Sequence, residues 1–147
     1  MIKSNLTPTT QLFRKKCAQE GLKITPQRIA IYEEVLKAKD HPSSDDVYKR
    51  VRKTFPNISF DTVYRTLSSF YKIGVINLVE GYGEKKRFDP NIYSHHHFRC
   101  IKCHTIIDFS SSSYDSIAVP KEIQKQFKVL NKRVVLEGIC KKCSRGK

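Results

Sequence analysis

The chain has 147 residues, enough for one domain or two small ones, and no stretch approaches the ~18 apolar residues of a membrane span, which excludes a helical membrane protein. Lys and Arg number 28 against 14 Asp and Glu, a formal net charge of +14 that points to an anionic partner, nucleic acid above all. The opening residues hold no apolar stretch of signal-peptide length, so the expected compartment is the cytoplasm, where thiols stay reduced and five cysteines read as metal ligands before disulfides.

Gln11 to Glu20 reads as a first helix, stopped by Gly21. Thr25-Pro26 starts a second, with Thr as N-cap and Pro at the first helical position; Ile29, Tyr32 and Leu36 carry its apolar face. His41-Pro42 breaks the chain, and Ser43 or Ser44 caps a third helix through Val47 and Val51. After Pro56-Asn57, Ser59 caps a fourth, whose Val63, Leu67 and Phe70 recur at helical spacing before Gly74 ends it. Val75 to Glu80 and Glu84 to Phe88 read as strands around a Gly81-Tyr82-Gly83 turn. Helices followed by a β-hairpin give the order of a winged helix-turn-helix domain, whose last helix is expected to face DNA. On that helix Thr62, Tyr64, Arg65, Ser68 and Lys72 lie off the apolar face. Arg65 suits guanine O6/N7, Tyr64 a thymine methyl, and Lys85, Lys86 and Arg87 of the second strand suit phosphates. A merely solvated face has the same pattern.

Near Asp89-Pro90-Asn91 the character changes. Strands are expected at His95 to Cys100, Thr105 to Phe109 and Val129 to Ile139, with a helix from Val119 to Phe127 and a polar connector at Ser110 to Ser113. The expected fold is α+β: an N-terminal winged helix-turn-helix domain over 1–88 and a smaller α/β domain over 89–147.

Cys100-Ile-Lys-Cys103 and Cys140-Lys-Lys-Cys143 each follow an expected strand. A C-x-x-C turn places two thiolates on one side of a tight loop, and two such turns complete a tetrahedral site suited to structural zinc. Zinc there contributes folding energy on the order of 10 kcal/mol. A redox-active pair explains one turn and leaves the other idle, while haem attachment at Cys100 to His104 belongs to exported proteins. Cys17 reads as a packed core residue.

His95 and His97 share one face of their strand while Phe98 and Cys100 take the other, so one strand can serve two metal sites. A turn centred near residues 101 to 102 places Asp108 opposite His95. Two imidazoles and a carboxylate on one patch suit a divalent transition metal, and Asp89 and His41 are further candidate ligands. A solvated polar strand and a plain interhelical loop account for the same residues. A non-haem metalloenzyme is the alternative class for a His/Asp site with open positions, although no separate catalytic base accompanies a motif such as H-E-x-x-H.

In their order and spacing these segments resemble the ferric uptake regulator family: Leu22-Lys-Ile-Thr-Pro-Gln-Arg28, His41-Pro42, Asp61-Thr-Val-Tyr-Arg65, Arg87-Phe-Asp89, His95-His-His97, Ile107-Asp-Phe109 and both C-x-x-C pairs. The resemblance implies a non-enzymatic repressor, a homodimer joined through its C-terminal domains and bound to a palindromic double-stranded DNA operator. It also implies a regulatory Fe2+ or Mn2+ held by His41, Asp89, His95, His97 and Asp108. Asp108 is similar to the peroxide-stress branch, where iron directs oxidation of a ligating histidine, by resemblance His41 or His95. Arg65 is similar instead to the iron sensors, which leaves metal uptake control without peroxide sensing as the alternative. Asp61 stands where Ala is common, Ile139 where some members carry an accessory-site His, and His104 where Gly is usual.

Overall fold

A computed structural model describes residues 10–79 and 86–146. The chain divides into two compact units, Met1–Ile92 and Tyr93–Lys147. The first contains α1 (Thr10–Gln19), α2 (Pro26–Lys37), α3 (Ser44–Val51), α4 (Phe60–Ile73), β1 (Asn77–Val79) and β2 (Arg87–Asp89). The expected Gly81-Tyr82-Gly83 turn, its flanking Glu80 and Glu84, and Lys85 lie outside the described residues.

Local signals set the helix ends. Thr25 Oγ1 accepts the Arg28 amide at 3.2 Å, with Pro26 beginning α2. Ser43, not Ser44, caps α3 through a reciprocal box: its hydroxyl accepts the Asp46 amide at 3.2 Å, and its own amide donates to Asp46 Oδ2 at 3.0 Å. Ser59 caps α4, and Gly74 terminates it at φ +86°, a left-handed conformation that glycine enters without a Cβ clash. The core of this unit centres on Phe13, Tyr32 and Phe70. Phe13 stacks on Tyr32 at 4.1 Å between centroids and meets the edge of Phe70 at 5.1 Å. Val63, Leu67 and Phe70 are fully buried, as their spacing predicts. On α2 the deepest residues are Ile31, Tyr32 and Val35, whereas Ile29 and Leu36 are only partly buried.

The second unit holds β3 (His96–Cys100), β4 (Ile106–Phe109), α5 (Ser112–Asp115), α6 (Lys121–Gln126), β5 (Val135–Gly138) and α7 (Lys141–Gly146). Its sheet runs β4-β3-β5, with β4 antiparallel and β5 parallel to β3. Three expectations are corrected. The third strand is only four residues, because upstream the Val134 amide donates to the His96 side chain at 3.0 Å instead of extending a ladder. Ser110 to Ser113 is not wholly connector: Ser111 caps the short α5 by accepting the Tyr114 amide at 3.2 Å. Asp89, placed at the start of the second domain by sequence, ends β2 in the first unit because it pairs with Asn77 of β1.

Candidate metal centres and nucleic-acid interface

Parallel pairing of β3 with β5 brings the C-terminal ends of both strands to one end of the sheet, and each carries a C-x-x-C turn there. Cys100 is level with Gly138, whose carbonyl accepts the Ile101 amide at 2.8 Å. The sulfurs of Cys100, Cys103, Cys140 and Cys143 all lie within 4.8 Å of one another. Cys103 and Cys140 are 3.7 Å apart at sulfur. That matches the edge of about 3.8 Å of a tetrahedron with Zn–S bonds near 2.3 Å, so the four residues fit zinc. Backbone amides converge as well: Cys100 Sγ accepts from Cys103 N at 3.5 Å and Cys140 N at 3.3 Å, and Cys140 Sγ from Cys143 N at 3.4 Å. The Cys103 and Cys140 amides lower the Cys100 thiol to about 6. The Thr105 hydroxyl and amide lower Cys103, whereas the neighbouring Cys140 sulfur, together with desolvation, pushes Cys143 up to about 12. Four crowded sulfurs become thiolates together only with a cation among them.

On the other face of β3 lies a second donor set. His97 pairs across the ladder with Asp108, and its Nε2 lies 3.1 Å from Asp108 Oδ1. His95 Nε2 is 3.7 Å from the same oxygen, and the two imidazoles are 4.8 Å apart at their centroids. The sequence reading set Asp108 against His95; the register is displaced by two residues. The cause is the turn, in which His104 adopts φ +65° and its amide donates to Cys100 O at 2.9 Å, so the reversal falls later. A slip of two preserves side-chain parity, so Asp108 stays on the histidine face. His95 Nδ1 donates to Tyr93 O at 2.7 Å, which fixes the tautomer and puts the ring's metal-ligating lone pair on Nε2, the nitrogen nearer Asp108.

His96, to which the sequence reading gave no role, is fully buried. Its Nδ1 accepts the Val134 amide, so Nε2 carries the proton and donates to Asp115 Oδ1 at 2.8 Å. It ties α5 and Val134, the residue just before β5, to β3. Its opposite parity to His95 and His97 was the available signal.

In the first unit His41 and Asp89 are both buried, with His41 Nε2 3.7 Å from Asp89 Oδ2. The other carboxylate oxygen, Oδ1, accepts the Asn91 amide at 2.9 Å. Two imidazoles with a carboxylate in one unit, and an imidazole with a carboxylate in the other, are donor types that iron(II) and manganese(II) accept.

The solvent side of α4 carries Thr62, Tyr64, Arg65 and Lys72, with Ser68 half-buried beside them. Arg65 Nε pairs with Asp61 Oδ2 at 2.9 Å, one helical turn away. Tyr64 stacks on Phe60 at 6.3 Å, and Phe60 meets the edge of Tyr48. Phe60, 42% exposed at the start of α4, is an apolar contact that the sequence reading passed over. Its signal was an aromatic residue off the apolar stripe. Lys86 is exposed just before β2. The Arg87 guanidinium donates to the carbonyls of His41 at 2.8 Å and Asp40 at 3.0 Å, a backbone role beyond the phosphate contact expected of it.

The ferric uptake regulator family model matches residues 19–137. The peroxide-responsive repressor PerR of Staphylococcus epidermidis is 35% identical over 123 residues, covering 84% of this chain and 82% of that protein. The ferric uptake regulator from Francisella tularensis with iron superposes at a TM-score of 0.71 and 28% identity, over 85% of this chain and 96% of that one. A PerR from Streptococcus pyogenes, described for peroxide sensing and gene regulation, superposes at 0.51 with 28% identity over 90% of each chain.

Proposed function

The chain belongs to the ferric uptake regulator family and is by that membership a metal-dependent DNA-binding regulator; we propose that it is a repressor that senses hydrogen peroxide through a histidine of its regulatory metal site. The observation that carries the finer reading is Asp108, whose carboxylate faces both His95 and His97. The similarity to PerR proteins over most of the chain supports the same branch.

In this reading His95, His97 and Asp108 supply three donors, and His41 and Asp89 two more. Neither set alone approaches the six positions that manganese(II) or iron(II) prefers; five protein donors together leave room for a small oxidant. One ion shared by both sets links metal occupancy to the geometry of the winged-helix unit. Metal then favours the conformer that fits a palindromic operator as a homodimer. To move a two-state equilibrium from mostly open to mostly closed takes roughly 10⁴-fold preferential binding. Exposed Ile117, Ile123, Phe127, Leu130 and Leu136 in the second unit support dimerisation there, and zinc in the cysteine site holds that unit together.

Iron(II), if held by these residues, would supply the redox chemistry that cleaves the peroxide O–O bond beside the imidazoles, the two electrons coming overall from the oxidised ring. The net change adds one oxygen to a ring carbon of His41 or His95 and releases one water. His95 is held by Tyr93 O with Nε2 toward the site, so oxidation strikes a ring already fixed as a ligand. The weakened ligand releases the ion, and the repressor leaves DNA. Membership of a family of regulators stands against the metalloenzyme alternative. Metal sensing without peroxide chemistry is the second reading, favoured by Arg65.

The test loads zinc-replete protein with Fe(II) or Mn(II), adds peroxide, and maps oxygen addition by peptide mass spectrometry. Addition of 16 Da (about one oxygen atom per modified ring) to the His41 or His95 peptide with iron alone is expected. Intact histidines with both metals refute peroxide sensing.

A further inference from the structure

We propose that Arg87 is a positioning residue that sets His41 for the regulatory ion; this rests on the metal-site reading above. The side chain reaches a loop 46 residues earlier, with Nε donating to His41 O at 2.8 Å and Nη2 to Asp40 O at 3.0 Å. These two carbonyls belong to the peptide groups on either side of the His41 Cα. Fixing both peptide planes fixes the φ and ψ of His41 together.

That control matters because His41 stands at φ +52°. A residue with a β-carbon is disfavoured there, and such a conformation persists only where its surroundings over-determine it. The surroundings here are β2. The Phe88 amide donates to Pro42 O at 2.9 Å, and Ser43 forms an isolated antiparallel bridge with Arg87. Arg50 also grips the Asp40 carboxylate, at 2.8 Å from Nη2 and 3.4 Å from Nη1. Two residues past Arg87, and on the same face of the strand, Asp89 presents its carboxylate to His41. One short strand therefore delivers a metal donor and the group that orients its partner donor. A guanidinium suits the task because its planar fork spans two acceptors at fixed spacing, which an ammonium does not.

The experiment is a double-mutant cycle on the full-length, zinc-loaded protein, titrated with Mn(II) and followed by the electron paramagnetic resonance signal of free aquated Mn(II). Arg87→Ala is expected to weaken Mn(II) binding about tenfold or more with His41 present, and to change it less than about twofold in a His41→Ala background. Arg87→Lys recovers only part of the loss. Equal weakening in both backgrounds, the mark of a merely structural role, overturns the proposal, and so does unchanged affinity in the single variant. If Arg87→Ala does not fold, Arg87→Lys enters the same cycle and must weaken binding only where His41 remains. A His41→Ala protein that binds Mn(II) as tightly as wild type overturns the metal-site reading itself, a result distinct from a failure of Arg87.

Discussion

His104 holds a left-handed backbone at φ +65° directly after the first C-x-x-C turn, where its amide closes onto Cys100 O. A glycine, which the resemblance makes usual here, accommodates that conformation without a Cβ clash; the structure gives no reason for histidine in its place. His104→Gly is expected to stabilise the zinc-loaded protein by about 0.5–1 kcal/mol, seen as a raised thermal midpoint. A lowered midpoint shows that the imidazole contributes more than its backbone strain removes. The same turn shows what spacing conveys and what it omits. The cysteines and the alternation of His95 and His97 were legible because C-x-x-C geometry and strand parity are local. The pairing of Asp108 with His97 was not, because it depends on where the turn reverses, and that is set by one residue's φ. The backbone role of Arg87 is hidden for a related reason: its carbonyl acceptors lie 46 and 47 residues away in sequence.

Among elements, α4 was the most legible. Its cap Ser59, its buried Val63, Leu67 and Phe70, and its stop at Gly74 are all written in local chemistry. Its outer face carries the Arg65–Asp61 pair, which their i,i+4 spacing permits. Exposed on both sides, that pair adds little stability, so Arg65 remains available for base reading. Arg65→Ala is expected to weaken binding to a selected palindromic duplex by about 10- to 100-fold, while binding to a random duplex at the same salt falls only severalfold. Equal losses on both duplexes refute a base-reading role. Two short elements of the second unit were less legible: α5 and β5 have four residues each, and tertiary bonds hold their ends, Val134 to His96 and His96 to Asp115. No periodic pattern of four residues can announce those.

For the whole molecule, the charge of +14 and the two cysteine turns pointed to a zinc-stabilised binder of polyanions, and membership of the ferric uptake regulator family agrees. No helix among the described residues is long and apolar enough to cross a membrane. What composition could not convey is the division of the proposed metal donors, with His41 and Asp89 in one unit and His95, His97 and Asp108 in the other. The regulatory account requires that one ion use both sets. The most direct test is fluorescence anisotropy of a palindromic duplex, selected from a random pool with Mn(II)-loaded protein, titrated with wild type, His41→Ala and His97→Ala. Each protein keeps its zinc, and each is measured with and without Mn(II). Tight binding is predicted only for wild type with Mn(II), falling by about 100-fold or more when the ion is withdrawn or when either histidine is lost. Equally tight binding without Mn(II), or a His41→Ala protein that still responds fully to Mn(II), contradicts the account.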